Sequence, residues 1–315
     1  MRKSIIAILF IGFLITISKL SFCQPEIHQH GEVWNIGDFG EDRINIIYMG
    51  DGFTKKDLVK GHMYDLAAIA CYNRIFSTEP FKTYRNYFNF QVIYLESKDE
   101  GIDYGDDGII KTTVLNCGFG NFGKQRNIGS SSDDKIIFYA EKVLGREKSP
   151  KDFIIVGVND KKYGGFAPWE SNVAYYSAAA KTENRDVNAL HEFGHAFGLL
   201  ADEYSFAKRY YSLPEEFYLY KNTESAYNIS YHSDPKKVKW SKFIGLPGYE
   251  DIGVFEGGHT YEKGLYRPTK QSIMRGFKKT TFNAPSRYQI YNRIHSLMGK
   301  ACSFEDFLKN DKNNK

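Results

Sequence analysis

Residues 153–158 form an unbroken apolar run, Phe-Ile-Ile-Val-Gly-Val, between polar neighbours. A short run of that kind reads as a strand buried on both faces. Residues 43–49 and 173–177 read the same way, the first ending in the turn residues Gly50-Asp51-Gly52, and residues 88–95 supply a further strand. Residues 58–76 and 135–144 read as helices, and a last helix is expected over 286–298. Between them, residues 97–132 are rich in Gly, Asp, Asn and Ser and predict long loops. Beyond Tyr204 the chain is aromatic and irregular for many residues. Strands interleaved with two long helices, ahead of a third helix near residue 190, predict an α+β fold with a mixed twisted sheet.

That third helix carries the chemistry. His191-Glu192-Phe193-Gly194-His195-Ala196-Phe197-Gly198 reads H-E-x-x-H-x-x-G. Residues four apart share a helix face, so the two imidazoles can converge on one metal ion. Glu192 stands beside that face, where its carboxylate reaches a metal-activated water instead of the metal. The bland alternative is an amphipathic helix with solvated His and Glu. Val187, Leu190, Phe193, Phe197, Leu199 and Leu200 argue against it, because burying two histidines and a glutamate among such residues is unfavourable unless they are paired or metal-bound. Gly198 is placed to end the helix in a left-handed conformation and swing the chain back toward the metal.

A third ligand must follow that turn. Asp202 and Glu203 are the nearest oxygen donors, and the alternative for them is a solvated turn or an ion pair with Lys208 or Arg209. Asp202 is favoured because its shorter side chain suits a tight turn, which leaves Glu203 to orient a histidine. Metzincin peptidases carry the third ligand three residues after the glycine, at the position of Ala201 here, so the aspartate comes one residue late. Downstream, Gln271-Ser272-Ile273-Met274-Arg275-Gly276 resembles their Met-turn, with Met274 as an apolar floor beneath the metal. Taken alone, such a methionine is ordinary core filler.

The run from 191 to 204 resembles the M64 peptidases, a metallopeptidase family named after a bacterial IgA peptidase. Asn45-Ile46-Ile47-Tyr48-Met49-Gly50-Asp51-Gly52-Phe53-Thr54, Glu79-Pro80-Phe81, Tyr87-Phe88-Asn89-Phe90, Tyr163-Gly164-Gly165 and Gly264-Leu265-Tyr266-Arg267-Pro268 fit the same family in order, from about 42 to about 295. The resemblance implies a secreted or surface zinc endopeptidase of metzincin-like fold, with a C-terminal lobe carrying the Met-turn. His191, His195 and Asp202 then hold Zn2+ and Glu192 is the general base. Protein or peptide is the expected substrate; a family name taken from one member does not identify it.

Residues 1–23 have the anatomy of a secretory signal: Arg2 and Lys3, an apolar run over 5–17, then Ser21-Phe22-Cys23. Export is therefore expected, with cleavage after Cys23; the lipoprotein alternative, anchored through Cys23, is disfavoured by bulky Phe22 before it. The apolar run is shorter than the ~20 residues of a membrane span. Cys71, Cys117 and Cys302 remain, an odd number with no C-x-x-C spacing and no setting suited to a cysteine nucleophile. Residues 24–308 are expected to form one catalytic domain, its upper lobe reaching to about 200, with 309–315 a polar tail. A net charge of +4 without a basic block gives no reason to expect nucleic acid. Asp99, Glu100, Asp103, Asp106 and Asp107 raise structural Ca2+ as an expectation, although a solvated acidic loop is the simpler one. Val173–Ser177 is the expected sheet edge for an added substrate strand, and Tyr288 and Tyr291 are candidates to stabilise the oxyanion. The competing class is a non-catalytic exported protein that holds a peptide or glycan in the same cleft; a closed four-ligand zinc site would instead be structural.

Overall fold

The computed structural model describes residues 25–121, 125–179, 185–206 and 226–311. The expected signal segment, Cys23, Lys208 and Arg209 lie outside them. The strands are β1 (Val33–Asn35), β2 (Ile44–Asp51), β3 (Phe88–Ile93), β4 (Asp103–Tyr104), β5 (Cys117–Phe119), β6 (Ile128–Ser130), β7 (Asp152–Val158), β8 (Gly165–Phe166), β9 (Val173–Ser177), β10 (Phe255–Gly258) and β11 (Tyr261–Arg267). The helices are α1 (Met63–Phe76), α2 (Asp133–Leu144), α3 (Arg185–Gly198), α4 (Ala284–Leu297) and α5 (Phe304–Asn310).

A six-stranded mixed sheet runs in the order β1-β3-β2-β7-β9-β8. Its centre is parallel and its two outer pairs, β1–β3 and β8–β9, are antiparallel. Side chains alternate across a strand, so β2 sends Ile44, Ile46 and Tyr48 into one core, with α1 and α3, while Ile47 and Met49 enter another with Ile136 and Ala140 of α2. Both faces are therefore covered, which explains why β2, β7 and β9 read as continuous apolar runs. The expected mixed sheet is present, flanked by helices on both sides.

Several expectations shift. The first helix starts at Met63 instead of residue 58, because Lys55–Leu58 is a separate 3-10 turn and Gly61 at φ +77° breaks the path between them. Residues 97–132 are more than loops: β4, β5 and β6 form a small sheet, organised by buried Asp51, which accepts from Thr113 Oγ1 (2.8 Å) and the Leu115 and Cys117 amides (3.0 and 2.9 Å). Three of the acidic residues there have structural partners. Asp99 accepts from the Thr112 amide, Asp103 from the Lys111 amide, and Glu100 pairs with Lys56. Among the described residues they do not converge on a cation site, so the calcium expectation finds no support.

Past α3, a third core gathers Trp240, Phe243, Tyr249, Tyr291 and Phe307, and β10–β11 forms a hairpin that the aromatic pattern concealed. Tyr288 and Tyr291 belong to this core. Asp311 is buried against Arg287, so packed structure continues into the expected tail. Cys71 and Cys117 are buried and Cys302 exposed, all as thiols. No helix among the described residues is long and apolar enough to cross a membrane.

Candidate metal centre

α3 packs between β9, α1 and α4, and its buried face is continuous from Val187 to Gly194. Gly194 lets the helix approach the later chain closely: a Cβ there would lie 2.9 Å from Met274 Sδ and 2.8 Å from Phe282. Met274 thus lies buried against the helix turn that joins the two histidines. The helix ends with Leu199, not Gly198, in the left-handed conformation (φ +49°), closed by Leu199 N–H to His195 O (3.0 Å) and Leu200 N–H to Gly194 O (3.3 Å). Gly198 instead makes room, since a Cβ on it would press on Leu200 and Ile290.

The turn returns Asp202 to the histidines. His191 Nε2 and His195 Nε2 are 3.1 Å apart, and each is 3.2 Å from Asp202 Oδ1. Their outer nitrogens decide the protonation: His191 Nδ1 faces Ile273 O at 3.0 Å and His195 Nδ1 faces Leu200 O at 2.6 Å. A carbonyl only accepts, so each neutral ring carries its proton on Nδ1 and turns an Nε2 lone pair inward. Asp202 Oδ1 is likewise buried without a hydrogen-bond donor. Three converging acceptors repel one another unless a proton or a cation lies among them. Burial alone would raise the Asp202 carboxyl and lower the His195 imidazole; their mutual attraction outweighs it, holding Asp202 well below its usual range and His195 above its own.

A divalent ion resolves this arrangement. Tetrahedral ligation at about 2.0–2.1 Å separates ligand atoms by about 3.3 Å, close to the spacing found here. Among the described residues this is the one group of His, Cys, Asp and Glu whose ligand atoms converge in that way, and it could hold a metal.

Glu203 sits apart. Its buried carboxylate accepts from Asn228 Nδ2 (3.0 Å), Asn283 Nδ2 (2.8 Å) and Ser272 Oγ (2.5 Å), and its amide donates to Met274 O (2.8 Å). It neither joins the cluster nor orients a histidine, because these partners turn its carboxylate toward the C-terminal segments. Asn228 extends the link by bonding both the N–H and C=O of Ala201. Segment 272–274 thereby supports the cluster twice, through His191 and through the residue after Asp202.

Glu192 lies on the same helix and lines the same cleft, of about 800 Å³. Burial pushes its carboxyl up to about 8, against the pull of His191 and with the Asp202 charge adding to the rise. Gly165 of β8 lies directly over it: a Cβ there would overlap Glu192 Oε1. Asn188, four residues before Glu192, fixes that strand through Gly164 O (2.8 Å) and accepts from Tyr163 OH (3.0 Å). β8, not β9, is the last strand of the sheet, and the Gly165 amide already donates to Arg126 O (3.2 Å).

The tyrosines in the cleft are Tyr163 and Tyr204, whereas Tyr288 and Tyr291 do not line it. Burial raises Tyr204, and the Asp202 charge adds to the rise. His259 closes the far wall from the β10–β11 turn, its amide donating to Asp202 O (2.7 Å). Asn188 and Tyr204 were within reach of helical spacing and motif proximity. His259 left no local signal, because its hairpin turns on His259-Thr260, at φ +46° and +73°, without glycine or asparagine.

A model of the IgA peptidase M64 family matches residues 35–249. The match contains the histidine helix and Asp202 and stops short of Met274. Among curated proteins no sequence matches this chain. The extent of the family match, together with the converging donors of α3 and its following turn, makes this chain a member of the M64 peptidase family.

Proposed function

We propose that this protein is an exported zinc endopeptidase whose ligands are His191, His195 and Asp202 and whose general base is Glu192. The observation that carries the reading is the orphaned, buried Asp202 Oδ1 facing two imidazole lone pairs at the floor of an open cleft. Three ligands beside a cleft suit a catalytic ion better than a structural one, which takes four. Zinc is favoured over calcium or magnesium by two imidazole donors.

When bound, the ion supplies Lewis acidity toward the scissile carbonyl and lowers the pKa of water. The chain's own residues do the remainder. Ile273 and Leu200 carbonyls hold the imidazole tautomers. Glu192, in its ionised form, takes the proton of the attacking water and returns it to the leaving amine. Gly165 and Asn188 leave that carboxylate its room and position. Met274 acts as the floor beneath the histidines, in the manner of a Met-turn. Residues 1–23 direct export, and the chain that follows, through Asp311, forms the catalytic domain.

Mass spectrometry of a degenerate peptide library treated with the mature chain, residues 24–315, tests the reading beside Glu192→Gln. Cuts made by the wild type and lost in the variant are expected. Equal cutting by both would remove Glu192 from its role, and cutting by neither would remove the peptidase reading.

A further inference from the structure

Arg126 lines the same cleft as the histidines and Glu192. Its backbone is fixed there by the edge strand: the Gly165 amide donates to its carbonyl at 3.2 Å, and a Cβ on Gly164 would come within 2.6 Å of that oxygen. The Gly164–Gly165 pair is therefore packed between Arg126 on one side and Glu192 on the other. The side chain is exposed, and among the described residues no carboxylate pairs with it. A guanidinium beside a cation site opposes the cation, and a substrate carboxylate would offset that repulsion. Phe166 and Trp169, which share this wall, offer no such charge.

Reach follows from size. A cleft of about 800 Å³ has room for only a few residues of extended chain, each advancing about 3.3 Å. Resting on the peptidase reading above, we propose that Arg126 selects acidic substrates, binding an Asp or Glu side chain, or a terminal carboxylate, within two residues of the scissile bond.

Two readouts test this, on zinc-loaded proteins of equal metal content. In the peptide library, wild-type cuts should be enriched in Asp or Glu within two residues of the bond. Arg126→Ala should lose that enrichment and Arg126→Glu should turn it toward Lys and Arg. In fluorescence anisotropy with the Glu192→Gln protein, a peptide bearing Glu at that position should bind about fivefold tighter than its Gln twin, the upper end for an exposed ion pair. Adding Arg126→Ala should erase the difference. Wild-type cuts without acidic preference, or equal binding of the two peptides, would overturn the role of Arg126 and leave the peptidase reading standing. An absence of wild-type cuts would overturn both.

Discussion

Gly165 sets the space available to the Glu192 carboxylate. A methyl group there overlaps Oε1 and lies 2.9 Å from Cδ and 3.0 Å from Asn188 Nδ2, so the acid must swing away. Gly165→Ala should therefore lower kcat by about 100-fold, the scale of a 1 Å misplacement, while zinc stoichiometry stays at wild type. Steady-state kinetics beside metal analysis checks it; an unchanged kcat would mean that the carboxylate has freedom this packing denies. His191, Glu192 and His195 were legible because their relation is local, fixed by helical periodicity alone. Asp202 and Glu203 are not distinguished by anything local. What removes Glu203 from the cluster is its bonding to Ser272, Asn228 and Asn283, residues far along the chain whose arrival no local pattern announces. Tyr288 and Tyr291 differ for the same reason: they follow Met274 along the chain, but packing puts them in the third core.

At the level of elements, the turn after α3 is held from behind. Glu203 joins the metal turn to segments 226–230, 272–274 and the start of α4, where Asn283 also caps the helix through the Ser286 amide (3.0 Å). Glu203→Ala removes the acceptor of Ser272 Oγ and one of the two acceptors of each of Asn228 Nδ2 and Asn283 Nδ2, which should destabilise the fold by about 2–4 kcal/mol. Zinc affinity should fall by about 10–100-fold as Asp202 loses its support. Denaturant titration and competition with a chelator measure the two effects, and wild-type affinity in the variant would deny the coupling.

β7 opens with a second buried acid. Burial would raise Asp152, but Arg146, Asn45 and Ser149 bring it down to about 2. A depressed folded pKa contributes stability that is complete above the unfolded value near 4 and is lost as pH falls toward about 2. Arg146→Ala should flatten that acid limb, measured as unfolding free energy between pH 5 and pH 2.5; an unaltered slope would assign the acid sensitivity elsewhere. The long buried strands and helices were legible from apolar runs. β1, β4, β5, β6 and β8 were not, since strands of two or three residues fall below any periodicity, and β8 takes its place only by pairing with β9.

Across the whole molecule, the sheet order determines what faces the cleft. Parallel pairing of β2, β7 and β9 lays α3 against β9, and the short antiparallel β8 then closes the sheet beside Glu192. Segments far apart in sequence meet there: residues 125–127, 163–166, 191–206, 259 and 276–277. The metal helix could be recognised from eight residues, while the cleft around it required the complete topology. The account's central claim joins one metal ion to one carboxylate, and a zinc titration of the metal-stripped protein, residues 24–315, tests it most directly. Peptide hydrolysis should rise linearly and saturate at one equivalent, while Glu192→Gln binds the same equivalent and stays lower by about 10²–10⁴. Hydrolysis without added metal, or full hydrolysis by zinc-loaded Glu192→Gln, would contradict it.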